Sequence, residues 1–374
     1  MKQLWIPFKI LSTITLFLLL HCTHLFTFYA PQWYKAPPFF GEPRLTKDYL
    51  SSGYITLSRA HTHQSRNNAG DETCLLNIYG KHNMRLLGSG VPNKDITHPI
   101  DLILIQLETL PERKGFAELL YTGNMKLTET TFTFMQNITR GSFFLVRFPF
   151  VKLELNSIDY VDCSPNDSDF PNRSAPEWQT FLTNFDAILE RYNLSTQPYS
   201  KQDPGTITLA TGWSSSYLDS TLLDYLDLTI MAGLLIPPGQ KTDPNKVFDI
   251  PLDYDHHLGF MLSFDTACGI CDWFSCGLHL SGAAFRDEMK ENLRMKTNIN
   301  HNGFIALAQG KADVNKGSLW NVGLFTKADH VIFGLSVLIS YLATHKRDDV
   351  LYPKDTSIFT PSIVNHDERY KPWT

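Results

Sequence analysis

From residue 116 onward the chain repeats one pattern, in which apolar and polar side chains alternate with a period of two. The segments fall at 116–123, 126–136, 143–155, 206–213, 225–236, 258–267, 273–285, 303–314, 318–328 and 331–344. A period of two sends successive side chains to opposite faces of a strand. In 126–136, Thr128, Thr130, Phe132 and Phe134 share one face, and Glu129, Thr131 and Thr133 share the other. In 143–155, Val151, Leu153 and Leu155 alternate with Lys152 and Glu154. Segment length decides what such strands suit. Most run roughly 9–13 residues, whereas strands of globular proteins peak at about 5–6 and bilayer-crossing strands need about 9–11. The expected fold is therefore all-β, an antiparallel transmembrane β-barrel of roughly 12 or more strands with a lipid face and a wet lumen face. A soluble secreted β-sandwich with one solvated face would show similar alternation and is the competing reading.

The spacing predicts one largely meandering sheet from 115 to 344, with tight turns at 123–125, 301–303 and 315–317. Asn302-Gly303 carries the tight-hairpin signal. One helix interrupts the pattern. Ser174-Ala175-Pro176-Glu177 reads as a capping box with an early proline. Trp178, Phe181, Leu182, Phe185, Ile188, Leu189 and Tyr192 follow at helical spacing. This helix, about 175–193, is expected in a long loop or as a plug in the lumen. Residues 74–110 are ambiguous, and the run DLILIQLETL at 101–110 suits a strand or a helix.

The N-terminus reads as a secretory signal peptide over 1–30. Lys2 and Lys9 precede an apolar run from Ile10 to Leu20, which is too short to span a membrane as a helix. Residues 31–46, with four prolines, form an extended lead-in, and 47–374 is the β domain. The chain closes on the polar stretch DERYKPWT, and Pro353, Pro361 and Pro372 disfavour a central strand there. Either segment 47–59 pairs directly with 331–344 or closing strands are missing after Thr374, and a gap or weak pairing between those two segments is expected.

Composition narrows the function classes. The 374 residues include 33 Lys and Arg against 38 Asp and Glu, a net charge of −5. That balance lacks the basic excess of a nucleic-acid platform. Charged residues are 19%, below the roughly 25% usual for soluble domains. After a signal, Cys74, Cys163, Cys268, Cys271 and Cys276 remain, an odd and scattered set that is no disulfide framework.

Three stretches resemble predicted bacterial outer-membrane β-barrels, porin-like proteins of host-associated Gram-negative-type bacteria. They are TGWSSSYLDSTLLDYLDLTIMAGLLIPPGQKTDPNKVFDIPLDYDHHLGFMLSFD (211–265), RMKTNINHNGFIALAQGKADVNKGSLWNVGLFTKADH (294–330) and the 114–140 region. The resemblance extends over most of residues 45–374. It implies a barrel of the outer membrane whose partners are membrane lipid and small solutes, and says little about which solute passes.

Motifs for chemistry are sparse. Glu118, Glu129, Asp227, Asp265 and Lys327 are the candidate lumen-facing residues for a pore, and their acidic excess favours cations. His279 and Ser281 share a strand face and match the His-x-Ser pairing of outer-membrane phospholipases. No supporting polar partner for that pair is recognisable in the sequence, so a lipase is the lesser alternative and no enzyme is expected. Asp253, Asp255, His256 and His257 cluster in one loop, and Cys268, Cys271 and Cys276 in one hairpin; neither has regular ligand spacing. No metal or cofactor is expected.

Overall fold

The computed structural model describes residues 51–367, apart from 63, 67–71, 78–80, 92–93, 140, 219–222, 302, 304 and 333–334. The signal read at 1–30, the lead-in at 31–46 and Thr374 lie outside the described residues.

Four strands, β1 (Ser51–Thr62), β2 (Ser65–Arg66), β3 (Glu72–Thr73) and β4 (His82–Asn83), lead to helix α1 (Pro99–Thr109). Two very long strands follow, β5 (Glu118–Thr139) and β6 (Ser142–Asp162). Helices α2 (Pro176–Thr183) and α3 (Phe185–Arg191) precede β7 (Tyr199–Pro204), β8 (Ile207–Leu218), β9 (Tyr225–Ile236), β10 (Gly259–Cys271) and β11 (Phe274–Phe285). The chain continues through β12 (Glu288–Arg294), β13 (Gln309–Asn315), β14 (Leu319–Ile332), β15 (Leu335–Lys346), β16 (Val350–Pro353) and α4 (Pro361–Val364).

Eleven strands form one sheet in the order β1-β5-β6-β8-β9-β10-β11-β14-β15, with β4 on β5 and β7 on β6. Its ladders are antiparallel, and the sheet is curled into a half-barrel. β1 and β15 end the path, and among the described residues no ladder joins them. β12, β13 and β16 make a separate three-stranded sheet.

Three expected turns differ. Residues 123–125 are not a turn but lie inside β5, because the odd-numbered side chains stay buried without interruption from Leu119 to Thr133. The run 303–314 yields a strand only from Gln309, and it pairs with β12 rather than forming a hairpin at Gly303; Asn302 lies outside the described residues. Residues 315–317 connect β13 to β14 across two different sheets. The ambiguous run at 101–110 is helical. Pro99 fits the first turn, His98 accepts a hydrogen bond from Ile100 N–H, and Asp101, Leu104 and Leu107 bury one face. The helix expected over 175–193 is two helices meeting at Asn184. Its N-cap is Ala175, with no side-chain cap bond, rather than Ser174. Asn172 instead accepts from the Ser174 N–H.

The hydrophobic core gathers these helices against the half of the β5–β6 hairpin nearest its open end. Leu119, Tyr121, Met125 and Leu127 of β5 meet Val151, Leu153 and Leu155 of β6 and, from the helices, Trp178, Phe181, Phe185, Ile188 and Leu189. Phe181 stacks on Trp178 at 5.2 Å, and Phe185 meets Tyr160 at 5.4 Å. Trp178 donates its indole N–H to Asp162 at 3.0 Å, which satisfies the only polar atom of the buried ring. Ser157 holds φ at 55°, and the buried parity of β6 changes from odd to even there. The change turns Ile158 and Tyr160 back to the core.

Along β5 the polarity of both faces reverses, and along β6 that of the outer face does, while the inner face of β6 turns polar only at Arg147 before buried Phe143. On the shielded face of β5, apolar Leu119, Tyr121, Met125 and Leu127 give way to Glu129, Thr131 and Thr133. On the other face, exposed Thr122 and Lys126 give way to exposed Phe132 and Phe134. In β6, exposed Lys152 gives way to exposed Phe150 and Phe144, while buried Val151 and Leu153 give way to Pro149 and Arg147.

The reversed pattern continues around the sheet. Exposed apolar side chains cover the outer face: Ile55 and Leu57 on β1, Trp213 on β8, Ile230 and Leu234 on β9, and Phe260 and Leu262 on β10. Trp320, Val322 and Leu324 on β14 and Leu335, Val337 and Ile339 on β15 complete it. Leu262 is 61% and Ile339 62% exposed. Soluble monomers rarely expose a contiguous apolar patch beyond a few hundred Å².

Candidate functional site

The shielded face inside the curl carries a belt of polar side chains. Alternation selects its members, since odd positions of β9, β10, β11 and β14 and even positions of β8 and β15 point inward. Ladder register then sets them side by side. Ser214 lies opposite Thr229, Thr229 opposite Asp265, and Asp265 opposite His279. Two residues further along β11, Ser281 lies opposite Asn321, and Asn321 opposite Thr344.

Hydrogen bonds run along this belt. Thr229 donates to Ser214 at 3.1 Å. His279 Nδ1 meets Asp265 Oδ1, and His279 Nε2 lies 3.0 Å from Ser281 Oγ. Asn321 donates from Nδ2 to Ser281 Oγ at 3.0 Å, and Thr344 donates to Asn321 Oδ1 at 2.8 Å. With the Nδ1 proton directed at Asp265, Nε2 is the acceptor for the Ser281 hydroxyl. The Thr344 bond fixes the Asn321 amide with its NH₂ toward Ser281. Directly across β10 from Ser281 is Ser263, whose buried hydroxyl has no hydrogen-bond partner among the described residues.

The five sequence-selected residues divide. Glu129, Asp227, Asp265 and Lys327 all lie on the shielded face. Arg147 approaches Glu129 at 3.8 Å, and Lys327 pairs with Asp329 at 2.9 Å. Asp227 is 3% exposed and opposite Ser216. Glu118 stands apart. It begins β5, has the opposite parity from Glu129, and pairs with Lys81 at 3.1 Å beside the helical core. Asn321, Thr344 and Ser263 were not among the residues selected from the sequence. Parity alone assigns them to the inner face, but only the register brings them beside His279 and Ser281.

A second feature is a cavity of about 570 Å³ between the small sheet and the 241–257 loop. Lys290, Lys241, Lys316, Asp255 and His257 are among its lining residues. Lys290 is ion-paired with Asp255. Burial, then the Lys316 and Lys241 charges, push the Lys290 ammonium down to about 7. Burial likewise lowers His257 and raises Asp253. Asp253 is occupied with the Gly239 and Asp255 N–H groups and Asp255 with Thr242 and Lys290, so the loop is knit internally. Among the described residues no three His, Cys, Asp or Glu side chains converge as metal ligands. The sulfurs of Cys268 and Cys276, directly opposed on β10 and β11, lie 3.3 Å apart as free thiols.

No protein-family model matches the chain, and no curated protein matches it in sequence.

Proposed function

We propose that the protein is an outer-membrane β-barrel, or the wall of one, that passes small solutes along its polar inner face. The observation that carries this is the reversal of both faces of β5 and of the outer face of β6. Beyond Leu127 the hairpin presents Glu129, Thr131 and Thr133 inward and Phe132, Phe134, Phe144 and Phe150 outward. A lipid-facing apolar band around a wet lumen needs that arrangement, and a soluble β-sandwich needs the opposite one. β9, β10, β11 and β15, at 12 or 13 residues each, exceed the about 9–11 that cross a bilayer. The porin-like resemblance of 211–265 and 294–330 agrees with the reading. The edges of β1 and β15 must find partners, because unpaired backbone groups cost several kcal/mol each in hydrocarbon. Asp227, Asp265 and Glu129 give the inner face an acidic bias that favours cations.

Reconstitution in a planar bilayer tests the reading. Stepwise conductance with cation preference is expected, and Asp227→Asn should reduce that preference. Protein extracted without detergent, unchanged in gel migration on heating and silent in the bilayer, would refute it.

A further inference from the structure

We propose that Asp265, His279, Ser281 and Asn321 form a nucleophilic site on the inner face that hydrolyses short, water-soluble carboxylic esters. The pore reading does not call for this arrangement, and the proposal goes beyond it. Ordinary lumen polarity needs only scattered hydrophilic side chains. Here an acid, an imidazole and a hydroxyl are ordered across two neighbouring strands, each bonded to the next atom a serine hydrolase uses. Asp265 holds Nδ1 and so leaves Nε2 facing Ser281 Oγ. The supporting partner that the sequence did not reveal is thus the residue opposite His279 on β10.

The step balances without a cofactor. The Ser281 Oγ lone pair forms a bond to the acyl carbon as its proton passes to His279 Nε2. The carbonyl electron pair moves onto the carbonyl oxygen. On collapse the C–O bond to the alcohol breaks, and the alcohol leaves with the proton from His279. Water then adds to the acyl-enzyme and gives its proton to His279. The acid departs, and Ser281 regains its proton. The net change is ester plus water to acid plus alcohol.

Two donors suit the developing oxyanion. Asn321 holds its amide NH₂ 3.0 Å from the nucleophile. Ser263, directly across from Ser281 and 2% exposed, carries a hydroxyl with no partner among the described residues. Directly opposed side chains in an antiparallel pair stand about 4.5–5.5 Å apart at Cβ, within reach of one small tetrahedral centre. Substrate class follows from placement. The site opens onto the polar face, away from Leu262, Leu280 and Val322 on the outer face. His279 and Asp265 keep 19% and 18% of their side chains exposed. A soluble short-chain ester reaches such a site, and a bilayer phospholipid does not.

The test uses the full chain, folded in detergent and checked by heat-modifiable migration. A fluorophosphonate probe should label the wild type, with the adduct mapped by peptide mass spectrometry to Ser281, a readout that needs no variant. Hydrolysis of p-nitrophenyl butyrate should fall at least about 100-fold in Ser281→Ala and His279→Ala. Asn321→Ala should lose about 10²–10³-fold, the usual effect of one oxyanion donor. Asp265 is a positioning residue, so Asp265→Asn should lower kcat with KM unchanged, and Asp265→Glu should recover part of the loss. Failure of the folded wild type to label or hydrolyse, or an adduct on another residue, overturns the proposal. Faster turnover of dispersed phospholipid than of the butyrate overturns the substrate class. Conductance is read on the same protein, so a barrel that conducts but does not label defeats this inference alone.

Discussion

One pair of strands belongs to two different environments. Over 119–127 and 151–155 the β5–β6 hairpin packs Leu, Met, Val and Tyr inward and turns Lys126 and Lys152 outward, beneath helices that bury Trp178 and Phe181 completely. Over 128–150 the inward side chains include Glu129, Thr131, Thr133 and, on β6, Phe143, and the outward ones include Phe132, Phe134, Phe144 and Phe150. The backbone hardly registers the transition, since the ladder is continuous from Asn124↔Asn156 to Asn137↔Phe143. Backbone geometry therefore does not select the face. The side chains do, and near Glu129 the buried face of β5 passes from apolar to polar while the exposed face passes from polar to apolar; on the proposed barrel reading, water gives way to lipid outside and core to lumen inside at that level.

The largest effects should separate the two regions. Trp178→Ala removes a fully buried ring from the helical core and should cost about 3–5 kcal/mol, read by urea unfolding of the helical circular dichroism. The outer-face Trp213→Ala should leave that transition in place. In the other direction, Leu262→Lys should cost about 2–4 kcal/mol in folding into vesicles if the residue sits near the midplane. Thr122→Lys, on the outer face of β5 below the reversal, should stay within about 0.5 kcal/mol. Equal effects at the two sites would erase the boundary.

Acid should loosen the helical region. His82 is fully buried, its Nε2 3.0 Å from Leu76 O, and burial lowers its pKa to about 4. The folded state thus holds a neutral ring where the unfolded chain, near pKa 6.5, takes up a proton. The stabilising contribution of the neutral ring is complete above pH 6.5 and is lost as pH falls from 6.5 toward 4, by up to about 3 kcal/mol. His82→Gln should flatten this dependence in a pH series of core unfolding. The smallest change is expected at the parity switch. Ser157 sits at φ 55°, a conformation glycine adopts freely. Ser157→Gly should therefore stabilise the hairpin by under about 1 kcal/mol, measured by thermal unfolding.

The sequence carried the strands well where alternation was strong. The 225–236, 258–267 and 273–285 segments correspond to β9, β10 and β11, because each keeps one parity to its end. It failed where a local turn signal competed with long-range pairing. Gly123-Asn124 reads as a turn, yet β5 runs through it because Tyr121 and Met125 bury on the same core. The inner belt was half legible. Asp265, His279 and Ser281 were each singled out by residue type and parity, but their adjacency depends on the register between β10 and β11. Register is set by the whole ladder, so no local motif records it. The helical core was legible only as a periodicity at 178–192, with no sign that it covers one half of a sheet whose other half is reversed.

Site-directed spin labelling reads the reversal of environment along β5 directly. In a cysteine-free background refolded into vesicles, nitroxides would be placed in turn at positions 121 through 134 and exposed to oxygen and to a water-soluble nickel complex. Positions 122 and 126 are expected to respond to nickel, and 132 and 134 to oxygen. Positions 121 and 125 should be protected from both, and 129, 131 and 133 should follow nickel rather than oxygen. A single pattern from 122 to 134, with 132 and 134 as accessible to nickel as 122, would contradict it.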